Sequence, residues 1–225
     1  MPVTTDLTLR QALDARHSAR AFASTPVPRD VIESILTTAQ RAPSWCNSQP
    51  WQVIVTSGSA IETFRQALAS YVETHEMTLD LPAPTDYVGV YGERRREAGY
   101  ALYRAVGIER SDRAGRARQA AENFSFFGAP HVAVITTDRN LGVYGAIDCG
   151  GYVSTLLLAA QEYGVATVPQ ASIAMYSDFV RAHLGIPEDR MIVCAVSFGY
   201  EDDEHPVNSF RTSRADITEV VTWND

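Results

Sequence analysis

Near the start of the chain, Arg16-His17-Ser18-Ala19-Arg20 places two arginines on either side of a serine at single-residue spacing. In an extended segment alternate side chains share a face, so two guanidiniums and a hydroxyl would point the same way. Guanidinium forks match phosphate oxygens bidentately, and the hydroxyl donates one more bond. The same residues also suit a solvated helix end whose cations oppose the helix dipole. Residue chemistry alone leaves both readings open. A second constellation runs over 42–51, Ala-Pro-Ser-Trp-Cys-Asn-Ser-Gln-Pro-Trp. Pro43 and Pro50 fix its course, while Ser44, Asn47 and Gln49 offer hydroxyl and amide groups able to read a polar heteroaromatic edge. A plain helix–loop–strand corner with capping side chains is the competing reading.

Other chemistry is missing. No GxGxxG follows a strand, and neither a P-loop nor a GxSxG nucleophile elbow occurs. The five histidines are never spaced as HxH or HxxxH, so no metal site is expected. Cys46, Cys149 and Cys194 stand too far apart for a CxxC pair and are odd in number, which excludes a disulfide framework. Cys46 beside Asn47 invites thiol catalysis, but a lone cysteine is expected as a packed small hydrophobe. All 19 basic residues are arginine, so a lysine Schiff base is out.

These residues need a scaffold. With 225 residues, 45% of them hydrophobic and 20% charged, the chain is expected to form one globular domain over 1–225. The formal charge of −8 argues against nucleic acid or an anionic membrane as a partner. The longest apolar stretches are about half of what a membrane span requires. The first ten residues lack a signal-peptide pattern, so a cytoplasmic protein is expected. The spacing predicts helices over 7–15, from Pro28 to about Ala42, over 61–79, two within 92–127, then 145–163 and 176–184. Strands are expected at 51–56, 131–137, 165–169 and 191–200. The helix at 145–163 is apolar enough to be buried on most faces. The last twenty residues, about 206–225, read as an extended arm. Strict βαβ alternation fails, which predicts an α+β fold with helices packed round a small mixed or antiparallel sheet.

Four segments together resemble the nitroreductase family of FMN-dependent oxidoreductases: RHSARAF at 16–22, PVPRDVIESILTTAQRAPSWCNSQPW at 26–51, GVATVPQAS at 164–172 and FRTSR at 210–214. The stretch from Tyr91 to Pro130 is most similar to the branch acting on nitrobenzoates and dinitroaniline-type nitroaromatics. The resemblance implies a domain-swapped homodimer with FMN at the subunit interface, the C-terminal arm embracing the partner. It implies that Arg16, Ser18, Arg20 and Arg214 hold the FMN phosphate and flavin edge, with His17 inside the same motif. Pro43, Ser44, Trp45 and Asn47 match a loop supplied by the other subunit, with Gln49 supporting it. Pro169, Gln170, Ala171 and Ser172 match the turn beside the isoalloxazine, where a backbone N–H faces N5. The sequence departs from relatives in carrying Ser172 in place of a glycine, Trp45 in place of a small residue, and Arg20 and Thr212 where some carry lysine.

The implied chemistry centres on the flavin and needs no catalytic side chain. NADH or NADPH donates a hydride and leaves before a small aromatic electron acceptor enters the same space. Other activities of the family (reductive dehalogenation, enone reduction, flavin-cannibalising synthesis) and a non-catalytic flavin-binding role remain alternatives. Phe124, Phe126 and Phe127 are candidates to cover the pocket by stacking on a planar substrate, or else plain core aromatics. The arginine-rich stretch 94–118 is expected as a solvated helical face, with an acidic substrate or the NADPH 2′-phosphate as the alternative ligand.

Overall fold

The computed structural model describes residues 6–224. Helix α1 (Leu9–Ala15) begins in a capping box between Thr8 and Gln11 and stops at Arg16, whose backbone is already extended. Helix α2 (Arg29–Ala39) starts behind Pro28 and buries Val31, Ile32, Ile35 and Ala39, one stripe at helical spacing. Strand β1 (Gln52–Ser57) leads into α3 (Ser59–Val72). This helix ends about seven residues sooner than its pattern predicts, because tertiary pairing takes over. Thr78 forms a bridge with Tyr176, and the Asp80 carboxylate accepts from Arg181 at 2.6 Å and from the Ile192 N–H at 2.8 Å. Helices α4 (Val90–Ala105) and α5 (Arg113–Ala121) follow, split at Gly107 as expected.

Strand β2 (His131–Asp138) precedes the long α6 (Gly142–Glu162), and β3 (Ala166–Gln170) runs directly into the one-turn α7 (Ala171–Ala174). Helix α8 (Ser177–Leu184) and strand β4 (Arg190–Gly199) complete the set. The sheet order is β1-β2-β4-β3 and every pairing is antiparallel. The fold is therefore α+β, with β2 and β4 central. Along β2, Ala133 and Ile135 face the core beneath α2 and α6, while Val132 and Val134 face the core beneath α3, α7 and α8. Side chains alternate across a strand, so covering both faces buries every residue from His131 to Thr137.

Helix α6 corrects one expectation. It is long and apolar enough by composition to cross a membrane, yet its apolarity belongs to a core helix packed on α2 and β2. It is also not buried on most faces. Cys149, Tyr152, Val153, Leu156 and Ala160 face inward, while Val143, Tyr144 and Ile147 are 65%, 53% and 60% exposed. The open stripe continues through Gly150, Gly151 and Ser154. Where α6 meets β2, a Cβ on Gly145 would lie 2.4 Å from Thr137 Oγ1 and 2.9 Å from Leu141 Cβ. Alanine improves helix propensity by about 1 kcal/mol over glycine. Here overpacking wins, and Gly145→Ala is expected to destabilise by about 1–3 kcal/mol in urea unfolding. Equal or greater stability would contradict this close approach.

Candidate functional site

Beyond Arg16 the chain stays extended. Ser18 bridges Thr167 of β3 in parallel, and the Ala19 N–H donates to the Thr167 carbonyl at 3.1 Å. The backbone is thus sheet-like, and Ala19 is fully buried on the face opposite the arginines. Of the two readings of this segment, the extended one holds. The Arg20 N–H donates to Asn208 Oδ1 at 2.7 Å, its guanidinium donates to the Ser18 carbonyl at 3.0 Å, and it lies 5.6 Å over the Phe210 ring. Asn208 is buried, and its Nδ2 donates to the carbonyls of Ala21 and Asp202. This residue fastens the C-terminal arm to the arginine segment, and nothing in the sequence marked it.

The two segments and the end of α1 enclose a cleft of about 280 Å³, lined by Arg16, Ser18, Arg20, Arg211 and Arg214, with Asp14, His17 and Phe210 in its wall. Among the described residues none of these four guanidiniums forms an ion pair. Burial, and then the neighbouring Arg214, lower the pKa of Arg16; burial lowers that of Arg20. Four cations around one carboxylate, with no ion pair between them, leave the cleft net positive and suited to a multiply charged anion. His17 contributes wall rather than free polar atoms, since Nε2 lies 2.7 Å from Glu201 Oε1 and Nδ1 3.1 Å from the Ala15 carbonyl. Arg211 stood within the FRTSR segment without being singled out.

The turn Pro169–Ser172 begins two residues beyond Thr167, the partner of Ser18, and carries β3 into α7. Pro169 and Ala171 are exposed. Gln170 is only 2% exposed and its side chain points inward, accepting from Ser197 Oγ at 2.5 Å and donating to the Asn123 carbonyl at 2.8 Å. Its side chain is a strut, so only its backbone is free to meet a ligand. Ser172 Oγ donates to Asn123 Oδ1 at 3.0 Å.

The 43–49 loop forms a strained corner. Cys46, Asn47 and Gln49 all have positive φ, at 51°, 57° and 44°. The Gln49 N–H donates to Ser44 Oγ at 2.9 Å and its side chain to Asn47 Oδ1 at 3.1 Å, the supporting role expected of it. Trp45 is 57% exposed and meets Tyr144 of α6 edge-on at 4.2 Å, while its N–H faces the Asp148 carboxylate at 3.2 Å. Within one chain, none of Pro43, Ser44, Trp45 and Asn47 lines the arginine cleft. Cys46 is exposed, not packed as expected. Cys149 and Cys194 are the packed thiols, and burial pushes them up to about 11 and about 12, which suppresses the reactive thiolate.

The aromatic candidates also need correction. Phe126 and Phe127 are 0% and 6% exposed, and Phe126 packs on Phe64 with ring centroids 4.9 Å apart. They are core residues and do not cover a pocket. Phe124 is half-buried against Tyr176.

An antiparallel sheet wrapped by helices, with a cationic cleft beside the end of its edge strand, defines a protein built to hold an anionic ligand. The model of the nitroreductase family matches residues 13–200, and the chain belongs to that family. A 4-nitrobenzoate reductase of Nocardioides sp. is 37% identical over 226 residues, 96% of this chain and 92% of that protein. The solved structure of the FMN-dependent nitroreductase NfnB from Mycobacterium smegmatis in complex with NADPH is 37% identical. Its TM-score is 0.91, over 97% of this chain and 100% of that one. The FMN- and NADPH-dependent nitroreductase NfnB from Sphigopyxis sp. strain HMH is 34% identical with a TM-score of 0.94, again over 97% and 100%.

Proposed function

We propose that this protein is an FMN-dependent NAD(P)H oxidoreductase that reduces nitroaromatic or related electron-poor compounds. We read it as a single domain over 1–225 acting as a cytoplasmic homodimer. The observation that carries the reading is the convergence of Arg16, Arg20, Arg211 and Arg214, from opposite ends of the sequence, on one cleft whose single lining carboxylate, Asp14, forms an ion pair with none of them. The residues fit FMN. A phosphate dianion suits the guanidinium cluster and the Ser18 hydroxyl, and the adjacent turn at Pro169–Ser172 gives the flavin edge a backbone to lie against. The cleft is smaller than the roughly 300–1,000 Å³ of whole-ligand pockets. It therefore suits the phosphate end of the ligand, with the remainder completed by the turn and by the Pro43–Asn47 loop of a second copy.

Bound there, FMN supplies reversible two-electron chemistry as a hydride acceptor and donor. The chain contributes positioning and charge. Arg16, Arg20 and Arg214 neutralise the phosphate, and the fixed backbone at 170–172 orients the ring. NADPH, named with both NfnB structures, and a planar nitroaromatic would take turns over the exposed flavin face. The purified protein is expected to be yellow, to release FMN rather than FAD on heating, and to lose its visible absorbance with NADPH under argon. Release of FAD, or no uptake of added FMN, overturns the cofactor assignment. Bound FMN that NADPH fails to bleach overturns the enzymatic one.

A further inference from the structure

Besides Ser197 of β4, the flavin-side turn takes polar contacts from Asn123, just past the end of α5, a residue no motif marks. Its carbonyl accepts from Gln170 Nε2 at 2.8 Å and its Oδ1 accepts from Ser172 Oγ at 3.0 Å. Its own Nδ2 donates back to the Ala120 carbonyl at 3.0 Å. Gln170 is held from its other side by Ser197 of β4 at 2.5 Å, so a chain of hydrogen bonds runs Ser197–Gln170–Asn123–Ser172 from the sheet to the turn. Asn123 is itself fixed. Its carbonyl also accepts from the Phe126 N–H at 3.2 Å, and Phe126 is fully buried in the turn where Phe126 and Phe127 have φ of 56° and 54°.

We propose that Asn123 is a positioning residue for the flavin-facing turn, holding the backbone of Gln170–Ser172 in register and keeping the Ser172 hydroxyl away from the bound ring. This rests on the FMN reading above. A serine at 172 carries a hydroxyl able to swing toward the ligand and compete with the backbone for it. Asn123 Oδ1 occupies that hydroxyl's proton, so the turn presents main chain alone. Removing the amide does two things: it loosens the turn, and it frees a hydroxyl beside the ring, where an added donor favours whichever flavin state carries more negative charge.

The test compares Asn123→Ala, Ser172→Ala and the double variant with wild type. Each protein is measured for amide hydrogen exchange at 171–173 without cofactor and for flavin reduction potential with FMN bound. Asn123→Ala is expected to speed exchange at these amides about tenfold. It is also expected to change the ratio of affinities for reduced and oxidised FMN about tenfold, which is about 30 mV for a two-electron couple. Adding Ser172→Ala should cancel most of the potential shift, because the freed hydroxyl is then gone; such non-additivity is the signature of a direct pair. Faster exchange with an unmoved potential makes the contact merely structural and overturns the positioning role. A shift that persists in the double variant overturns the hydroxyl's part in it. If Asn123→Ala fails to fold, Ser172→Ala alone decides, since it breaks the same bond from the other side: unchanged exchange at 171–173 overturns the clamp, and faster exchange supports it. A wild-type protein that takes up no FMN defeats the reading beneath. Normal FMN uptake with no change in any variant defeats this inference alone.

Discussion

Arg214→Ala is expected to weaken FMN binding about ten- to a hundred-fold while leaving the fold intact. Its guanidinium lines the cleft from the C-terminal arm, is exposed, and among the described residues donates only to Thr212 and to the Ser213 carbonyl. Nothing in the core depends on it. A charge-assisted hydrogen bond contributes about 1.5–3 kcal/mol, which sets the expected loss of affinity. Removing the charge would also relieve Arg16, whose pKa Arg214 helps to lower. Arg20→Ala is the instructive contrast. That side chain stacks over Phe210 and donates to the Ser18 carbonyl, so its loss costs stability as well as binding. Fluorescence titration with FMN and thermal unfolding separate the two effects. An Arg214→Ala protein with wild-type FMN affinity would remove the residue from the site.

What the sequence disclosed follows from the range of each signal. The alternation at Arg16, Ser18 and Arg20 is local, and an extended segment obeys it wherever it lies. The apolar stripe of α2 and the β-branched runs of β2 and β4 are equally local, so these elements fall close to their expected places. The misses are tertiary. The pattern after Ser59 stays helical in character, but the Thr78–Tyr176 bridge and the buried Asp80 draw the chain away. Phe126 and Phe127 read as pocket aromatics from their neighbourhood, and only the strained turn that drives both into the core shows otherwise. Asn208 and Asn123 have no spacing signal at all, because their partners lie up to 188 residues away. For α6, composition reports how apolar the helix is and not which face lacks a neighbour.

That open face carries the last expectation: the protein is an obligate homodimer whose sites each draw on both chains. Val143, Tyr144 and Ile147 are largely exposed on one flank of α6, and Trp45 of the strained loop packs on that flank at 4.2 Å from Tyr144. The loop therefore sits on the apolar surface that a second copy would cover, and apart from the arginine cleft of its own chain. Large exposed apolar patches mark interaction sites, and obligate interfaces bury more than about 2,000 Å² and resemble a divided core. Dissociation should then accompany unfolding. The decisive experiment mixes two inactive variants, one altered at Arg16 and Arg214, the other at Ser44 and Asn47. In a two-fold dimer whose loops reach across, each heterodimer holds one site with intact arginines and an intact loop, and one site damaged in both. Co-refolding should restore up to about half of the wild-type activity per heterodimer, since one site of the two is whole. If loop and arginines instead served the same site from one chain, every site in the mixture would be damaged and no activity would return. A monomer by light scattering, or purified heterodimers that stay inactive, would overturn the shared site.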